Sequence, residues 1–176
     1  CLAMSATLFY VFVYSLWLKR TSRQNIVIGG AAGAVPVLVG WAAVQNSLAW
    51  EPFILFIAIF LWTPPHFWAL AIRHADEYKA AGVPMMPSVA TMKQTVRQMF
   101  VYTVLLTATT LVLGPVANLG LTYMISAVVL GLGFIASTVD LGRNPSASRA
   151  MRVFGFSITY VTVLFTAMAV DVFIKY

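Results

Sequence analysis

The chain has 176 residues, of which 61% are hydrophobic and 9% charged, with a formal net charge of +6. A soluble domain carries roughly a quarter charged residues, so this chain cannot cover itself with a polar surface, and the bilayer is its solvent. The positive charge is not a nucleic-acid signal, because the basic residues gather at the ends of apolar segments, where they report orientation.

A single cysteine, Cys1, excludes an intrachain disulfide and leaves the compartment open. The chain opens on that cysteine and enters an apolar run with no basic flank, which argues against a signal peptide. It reads as a fragment or processed chain.

Six apolar segments follow in order: Leu2 to Leu18, Ile26 to Val44, Pro52 to Ile72, Val96 to Leu113, Leu119 to Val139 and Val153 to Ile174. Crossing the hydrocarbon core takes about 20 apolar residues as a helix. The runs are continuous rather than alternating, and only helices or closed barrels satisfy their backbone in lipid. The expected fold is therefore all-α, a polytopic bundle of transmembrane helices in one domain over residues 1–176.

The connections sort by charge. Lys19, Arg20 and Arg23 follow the first segment. Arg73, Lys79, Lys93 and Arg97 follow the third, and Arg143, Arg149 and Arg152 follow the fifth. The intervening connections, around Gln45 to Glu51 and Gly114 to Asn118, hold no Lys or Arg. Ten of the eleven basic residues thus fall on one side, and only Lys175 falls on the other. The positive-inside rule makes the basic side cytoplasmic. The long connection from Arg73 to Arg97 lies there, and its Gly82, Pro84 and Pro87 block a continuous helix.

The stretch Trp62-Thr63-Pro64-Pro65-His66-Phe67-Trp68-Ala69-Leu70-Ala71-Ile72-Arg73-His74-Ala75-Asp76-Glu77-Tyr78 holds both histidines, two of the five acids and two of the five tryptophans. On a continuous helix His66, Arg73 and Glu77 share one face, and Arg73 can also pair with Asp76. A helix-end ion pair inside an interfacial aromatic belt accounts for any one of these residues alone. His66 resists that account: it lies about two turns inside the charged boundary, where a polar side chain is costly unless it faces protein or a cavity. Pro64-Pro65 is expected to break the helix there, which is tolerated where backbone lines a cavity or packs on protein.

Asp76 and Glu77 are hard oxygen donors of the kind that hold Mg²⁺ together with substrate phosphates, but two adjacent acids are not a complete site. Asp140 lies on the same side and suits a helix end. Lys19, Arg20, Arg23 and Arg73 could neutralise a diphosphate, although orientation alone accounts for each of them. Gly29-Gly30-Ala31-Ala32-Gly33-Ala34 lacks the Lys-Ser/Thr of a phosphate loop and reads as close helix packing, with Gly29 and Gly33 four apart and Gly30 and Ala34 likewise. Asn25 suits a helix N-cap and equally a ligand to phosphate or metal. No zinc or haem-iron ligand set is evident, since His66 and His74 are eight apart and no cysteine joins them.

Three stretches together resemble the protohaem IX farnesyltransferases (haem O synthases) of the UbiA-type intramembrane prenyltransferase superfamily. They are Leu18-Lys19-Arg20-Thr21 through Gln24-Asn25-Ile26-Val27-Ile28-Gly29-Gly30-Ala31-Ala32-Gly33-Ala34, then Trp62 to Ala71, then Asp76-Glu77-Tyr78 with Ala81-Gly82-Val83-Pro84-Met85-Met86-Pro87. The resemblance implies that these six helices are the C-terminal part of a nine-helix protein. The family's first aspartate-rich motif is absent here, so the chain as it stands is expected to be inactive.

The implied reaction moves a farnesyl group from farnesyl diphosphate to a vinyl group of haem b, giving haem O for terminal oxidases, with Mg²⁺ as cofactor and haem b as substrate. The resemblance makes His66 and Asp76 catalytic, Asp76 and Glu77 metal ligands, and Lys19, Arg20, Asn25, Trp62, Trp68, Arg73 and Tyr78 substrate contacts. Trp62, Phe67 and Trp68 could shield a carbocation. It further implies haem A synthase or oxidase assembly proteins as partners, and the compact loops favour a bacterial cytoplasmic membrane over a mitochondrial one. Two alternatives stand beside it. One is a superfamily enzyme with a quinone or lipid acceptor, against which position 80 is Ala80 rather than a second aspartate. The other is a non-enzymatic haem-handling or transport subunit, which would spread its polar residues across the whole bilayer.

Overall fold

The computed structural model describes residues 1–175, and the side chains of residues 1–174. Every regular element among them is helical: α1 (Leu2–Leu8), a π-helical continuation (Phe9–Leu18), α2 (Lys19–Thr21), α3 (Asn25–Gln45), α4 (Trp50–Arg73), α5 (Ala75–Ala80), α6 (Met86–Val89), α7 (Met92–Val116), α8 (Leu121–Arg143) and α9 (Ala147–Lys175). Six helices are long and apolar enough to cross a membrane, α1 with its continuation through α2 counting as one. The six expected segments are all present. The helices overrun them by up to about two turns, because hydropathy marks the lipid-crossing part whereas backbone hydrogen bonding continues into the polar flanks. The exception is the start of α8, two residues after the expected Leu119.

The spans run alternately up and down, so the basic connections share one end of the bundle. Lys175 closes α9 at the opposite end, with its side chain outside the described residues.

The bundle is built around α4. Half of its span is buried, against 6% of the first span. It packs on α3, α7 and α9, and α7, α8 and α9 pack in sequence on one another. Trp68, Met99, Leu106, Leu113, Tyr123, Phe134, Leu141, Val153 and Tyr160 fill the shared core. Small residues set the closest approaches. A Cβ on Gly131 of α8 would lie 2.3 Å from Thr107 Cγ2 of α7, and one on Gly30 of α3 would lie 3.0 Å from Thr63 Cγ2 of α4. Lipid is as apolar as a leucine core, so such close packing holds membrane helices together in place of a hydrophobic drive.

Pro64 and Pro65 do not break α4, contrary to the sequence expectation; the helix runs through both. Each proline deletes one amide donor and crowds the preceding turn. Both rings are buried, Thr63 Oγ1 donates to the Ile59 carbonyl at 2.8 Å, and three packed helices hold the segment in register. The break comes later, at His74 (φ −108°, ψ 24°), where α4 gives way to the short α5. Beyond it Gly82 takes the left-handed conformation (φ +65°), and a capping box between Thr91 and Gln94 starts α7. The expected interruption of the long basic connection is therefore present, as two short helices joined by a turn.

Candidate functional site

Two features meet on the C-terminal half of α4, at Trp62. The first is a cavity of about 890 Å³ between the first span, α3 and α4. The α3 wall carries a stripe of small residues: Gly29, Gly33, Pro36 and Gly40 recur at the spacing of one helix face and line the cavity, with Val35 and Val39 beside them. Tyr10 and Tyr14 from the first span and Trp62 and Phe67 from α4 supply aromatic walls. The glycines divide in function. A side chain on Gly29 would strike the Tyr14 ring at 2.4 Å, so Gly29 is a packing position. Gly30 and the fully buried Ala34 pack inward, as expected. Gly33 does not: a Cβ there meets no described atom within 4 Å, and it opens into the cavity instead.

The second feature is a clamp between α4 and α9. His66 Nδ1 lies 2.6 Å from Ser157 Oγ, and Trp62 Nε1 donates to the Ser157 carbonyl at 2.8 Å. The His66 ring stacks on Trp62 at 4.2 Å and on Phe154 at 4.6 Å, and meets Phe67 edge-on at 5.0 Å. Ser157 Oγ also donates to the Phe154 carbonyl at 2.5 Å. One hydroxyl carries one proton. With that proton on Phe154, His66 Nδ1 is the donor to Oγ, and Nε2 keeps the free lone pair. The sequence signal for this clamp was half visible: a polar residue deep in an apolar helix demands a partner, but nothing local points to Ser157 and Phe154, about 90 residues away.

The expected site residues are therefore only partly brought together. Trp62 reaches both the clamp and the cavity wall. His66 is buried between α4 and α9 and does not line the cavity. Trp68, expected as a substrate contact, does not line it either: it is fully buried towards α7, edge-on to Tyr102 at 5.7 Å, and its indole N–H has no hydrogen-bond partner among the described residues.

The shared face of His66, Arg73 and Glu77 does not form, because α4 ends between the last two. Arg73 is exposed beside Ser148 and Arg152 at a small cavity of about 600 Å³, and it pairs with neither acid. Glu77 Oε1 instead meets His74 Nδ1 at 2.9 Å. Asp76 is exposed on α5. Asp140 is engaged by Arg149 at 2.9 Å and Arg152 at 3.3 Å, where it ties the end of α8 to the start of α9.

Lys19 and Arg20 are exposed at the end of the first span. Asn25 is buried and is the first residue of α3, not its cap. Its Nδ2 donates to the Lys19 carbonyl at 3.2 Å and its Oδ1 accepts from the Ile26 amide, so it fastens the basic turn to α3. Tyr78 is half-buried against the small cluster of Ile26, Ala71 and Met85, which folds the post-α4 connection back over the mouth of α3. Among the described residues no group of three His, Cys, Asp or Glu side chains comes together. Asp76 and Glu77 have the hard oxygen chemistry of a divalent-cation site but do not make one alone.

A bundle of membrane-length helices around an apolar cavity, with the basic turn of Lys19 and Arg20 next to its Ile26 end, has the form of an intramembrane protein with room for a lipid-like molecule. The comparisons sharpen that class: residues 1–167 match the UbiA prenyltransferase family, and the chain belongs to it. Among curated relatives, proteins named protoheme IX farnesyltransferase are 50% identical in Parafrankia sp. and 52% identical in Gloeobacter violaceus. These matches take in 96% and 97% of this chain and 55% and 56% of those proteins. The Synechocystis sp. protein of the same name is 47% identical over 97% of the chain and 55% of its own length. The chain thus spans about half the length of the curated relatives it matches. A structure solved in work on digeranylgeranylglyceryl phosphate synthase in membranes superposes with a TM-score of 0.83 over 97% of this chain and 60% of its own. At 19% identity it supports the fold alone.

Proposed function

We propose that the protein to which these helices belong transfers the farnesyl group of farnesyl diphosphate to a vinyl group of haem b, giving haem O for a terminal oxidase. The observation that carries this reading is the identity of about half of all matched positions to protoheme IX farnesyltransferases over nearly the whole chain. The geometry is suited to it: an apolar, aromatic-walled cavity would hold an isoprenoid, exposed Lys19 and Arg20 next to its Ile26 end would offer charge to the diphosphate, and Arg73, at the second cavity beside Arg152, would add to that charge.

In the transfer, the allylic C–O bond breaks and the diphosphate leaves with the electron pair. The vinyl carbon then bonds to the farnesyl carbon, and the cation left on the haem side chain takes a water oxygen and releases a proton. Trp62 and Phe67, which line the cavity, would stabilise the allylic cation with their rings.

A divalent cation, Mg²⁺ in our reading, would neutralise the leaving diphosphate, and Asp76, with Glu77 beside it, would contribute to holding it. Two carboxylates, one already held by His74, are too few, and we take this chain on its own to be inactive. Asn25 and Tyr78 shape the mouth, and Trp68 backs the wall from the α7 side. His66 acts by fixing Trp62 and the α4–α9 packing. The chain forms one prenyltransferase domain, with its basic connections on the cytoplasmic side of a bacterial inner membrane. Haem A synthase or oxidase assembly proteins would receive the product.

The test is the full-length protein in membranes supplied with haem b, farnesyl diphosphate and Mg²⁺, with pigments separated by chromatography. Hydroxyethylfarnesyl haem is the expected product. Prenylation of a quinone acceptor with haem b left unchanged would overturn the reading.

A further inference from the structure

The α3 stripe has a property that the prenyl-transfer reading does not require. Gly33 and Gly40 both line the large cavity, both lie on one face of α3, and a Cβ on either meets no described atom within 4 Å. These are open positions, unlike Gly29 and Gly30, whose added Cβ atoms would strike Tyr14 and Thr63. Both are exposed, so packing among the described residues does not account for glycine at 33 and 40; their place on the cavity wall leaves room for an occupant.

The cavity also has a direction. It starts at Ile26 and Tyr14, next to Asn25 and the basic turn, and continues to Gly40 and Ala3 at the far end. At a rise of 1.5 Å per residue, Gly33 lies about 12 Å beyond Asn25 and Gly40 about 22 Å beyond it. Each isoprene unit adds four bonds of about 1.5 Å, or roughly 5 Å when extended. Three units anchored at the basic turn therefore reach past Gly33 and stop short of Gly40, and a fourth unit brings the tail to about the level of Gly40.

We infer that Gly33 and Gly40 form a ruler that sets the length of prenyl chain the protein accepts: Gly33 gives passage to the third isoprene unit, and Gly40 gives room to a fourth. This inference rests on the prenyl-transfer reading and assigns its donor a place. A bulky side chain at 33 shortens the usable cavity, and one at 40 trims only its end. Losing the apolar contacts of one isoprene unit, or overlapping it, changes selectivity by tenfold or more.

The experiment uses the full-length protein in proteoliposomes with haem b, Mg²⁺ and three donors: geranyl, farnesyl and geranylgeranyl diphosphate. Gly33→Leu is expected to shift the farnesyl-to-geranyl ratio of kcat/KM at least tenfold towards geranyl. Gly40→Leu is expected to lower the geranylgeranyl-to-farnesyl ratio at least tenfold and to change the farnesyl-to-geranyl ratio far less. Gly33→Ala, with one added methyl in open space, is expected to shift the ratio in the same direction by less than Gly33→Leu.

If a lipid acyl chain or another helix of the longer protein fills the cavity, both leucine variants lower turnover equally for all three donors, and the ruler is overturned while prenyl transfer stands. If the parent protein prenylates haem b with none of the donors, the functional reading itself falls and the ruler with it. A variant that loses all activity is assayed for protection of its prenyl-diphosphate site by competition with labelled farnesyl diphosphate. Geranyl diphosphate competing no better in Gly33→Leu than in the parent also overturns the ruler.

Discussion

The clamp between α4 and α9 makes an asymmetric prediction about two substitutions. In Ser157→Ala the Trp62 indole keeps its acceptor, which is the main-chain carbonyl, and only the Oγ partner of His66 is lost. His66 Nδ1 is then stranded in a site where the residue is 8% exposed and sandwiched between two aromatic rings. A stranded buried polar group costs about 1–3 kcal/mol in general. Interhelical hydrogen bonds within membranes run lower, about 0.6 and up to roughly 1.7 kcal/mol. The expected loss for Ser157→Ala is therefore about 1–1.5 kcal/mol. In a His66→Phe background the same change strands nothing, because Ser157 Oγ is already bonded to the Phe154 carbonyl within its own helix. There it should cost below about 0.5 kcal/mol, leaving a coupling of roughly 1 kcal/mol for a contact pair. The assay is equilibrium unfolding of the full-length protein in mixed micelles, followed by tryptophan fluorescence, for the parent, the two single variants and the double variant. Equal cost of Ser157→Ala in both backgrounds would refute the clamp.

Other variants probe the bundle and the rim. Gly131→Ala drives a methyl into Thr107 and should destabilise by about 1–3 kcal/mol, whereas Gly155→Ala, with no described atom within 4 Å, should change stability by less than about 0.5 kcal/mol in the same unfolding assay. Asp171 is a buried acid on α9 that accepts the Gly120 amide at the start of α8 and so caps that helix from a neighbour. Asp171→Ala should cost about 1–2 kcal/mol, whereas Asp171→Asn, which keeps an acceptor oxygen, should recover most of it, read from unfolding midpoints. Asp76 is exposed, and among the described residues no ion pair holds it in the fold. Asp76→Ala should leave the melting temperature unchanged and lower haem O formation by at least tenfold. A large loss of stability would move Asp76 from the site to the scaffold.

Much of the fold was legible in the chain itself. Six apolar runs of spanning length, with basic residues at alternate connections, leave little besides an up-and-down helical bundle with one basic end. Gly30 and Ala34 could be read as packing positions from their spacing, and the motif around Trp62 to Tyr78 marked the mouth. Other readings failed for identifiable reasons. Pro64 and Pro65 look like a helix break in isolation, yet α4 passes through them because α3, α7 and α9 hold the turn from outside. Gly29 and Gly33 look equivalent, yet one abuts Tyr14 and the other faces open space.

The common cause is that lipid and protein core are equally apolar. Hydropathy along a membrane helix reports how much of it lies in the bilayer, but not which face meets lipid, a cavity or another helix. The amino-acid order thus determined the number of spans, their orientation relative to one another and the charge of the ends. Tertiary packing alone decided that His66 turns to Ser157 on α9 instead of lining the cavity, that Glu77 pairs with His74 rather than Arg73, and that the stripe of small residues on α3 lines the cavity. Each of those outcomes depends on a partner whose position no local pattern contains.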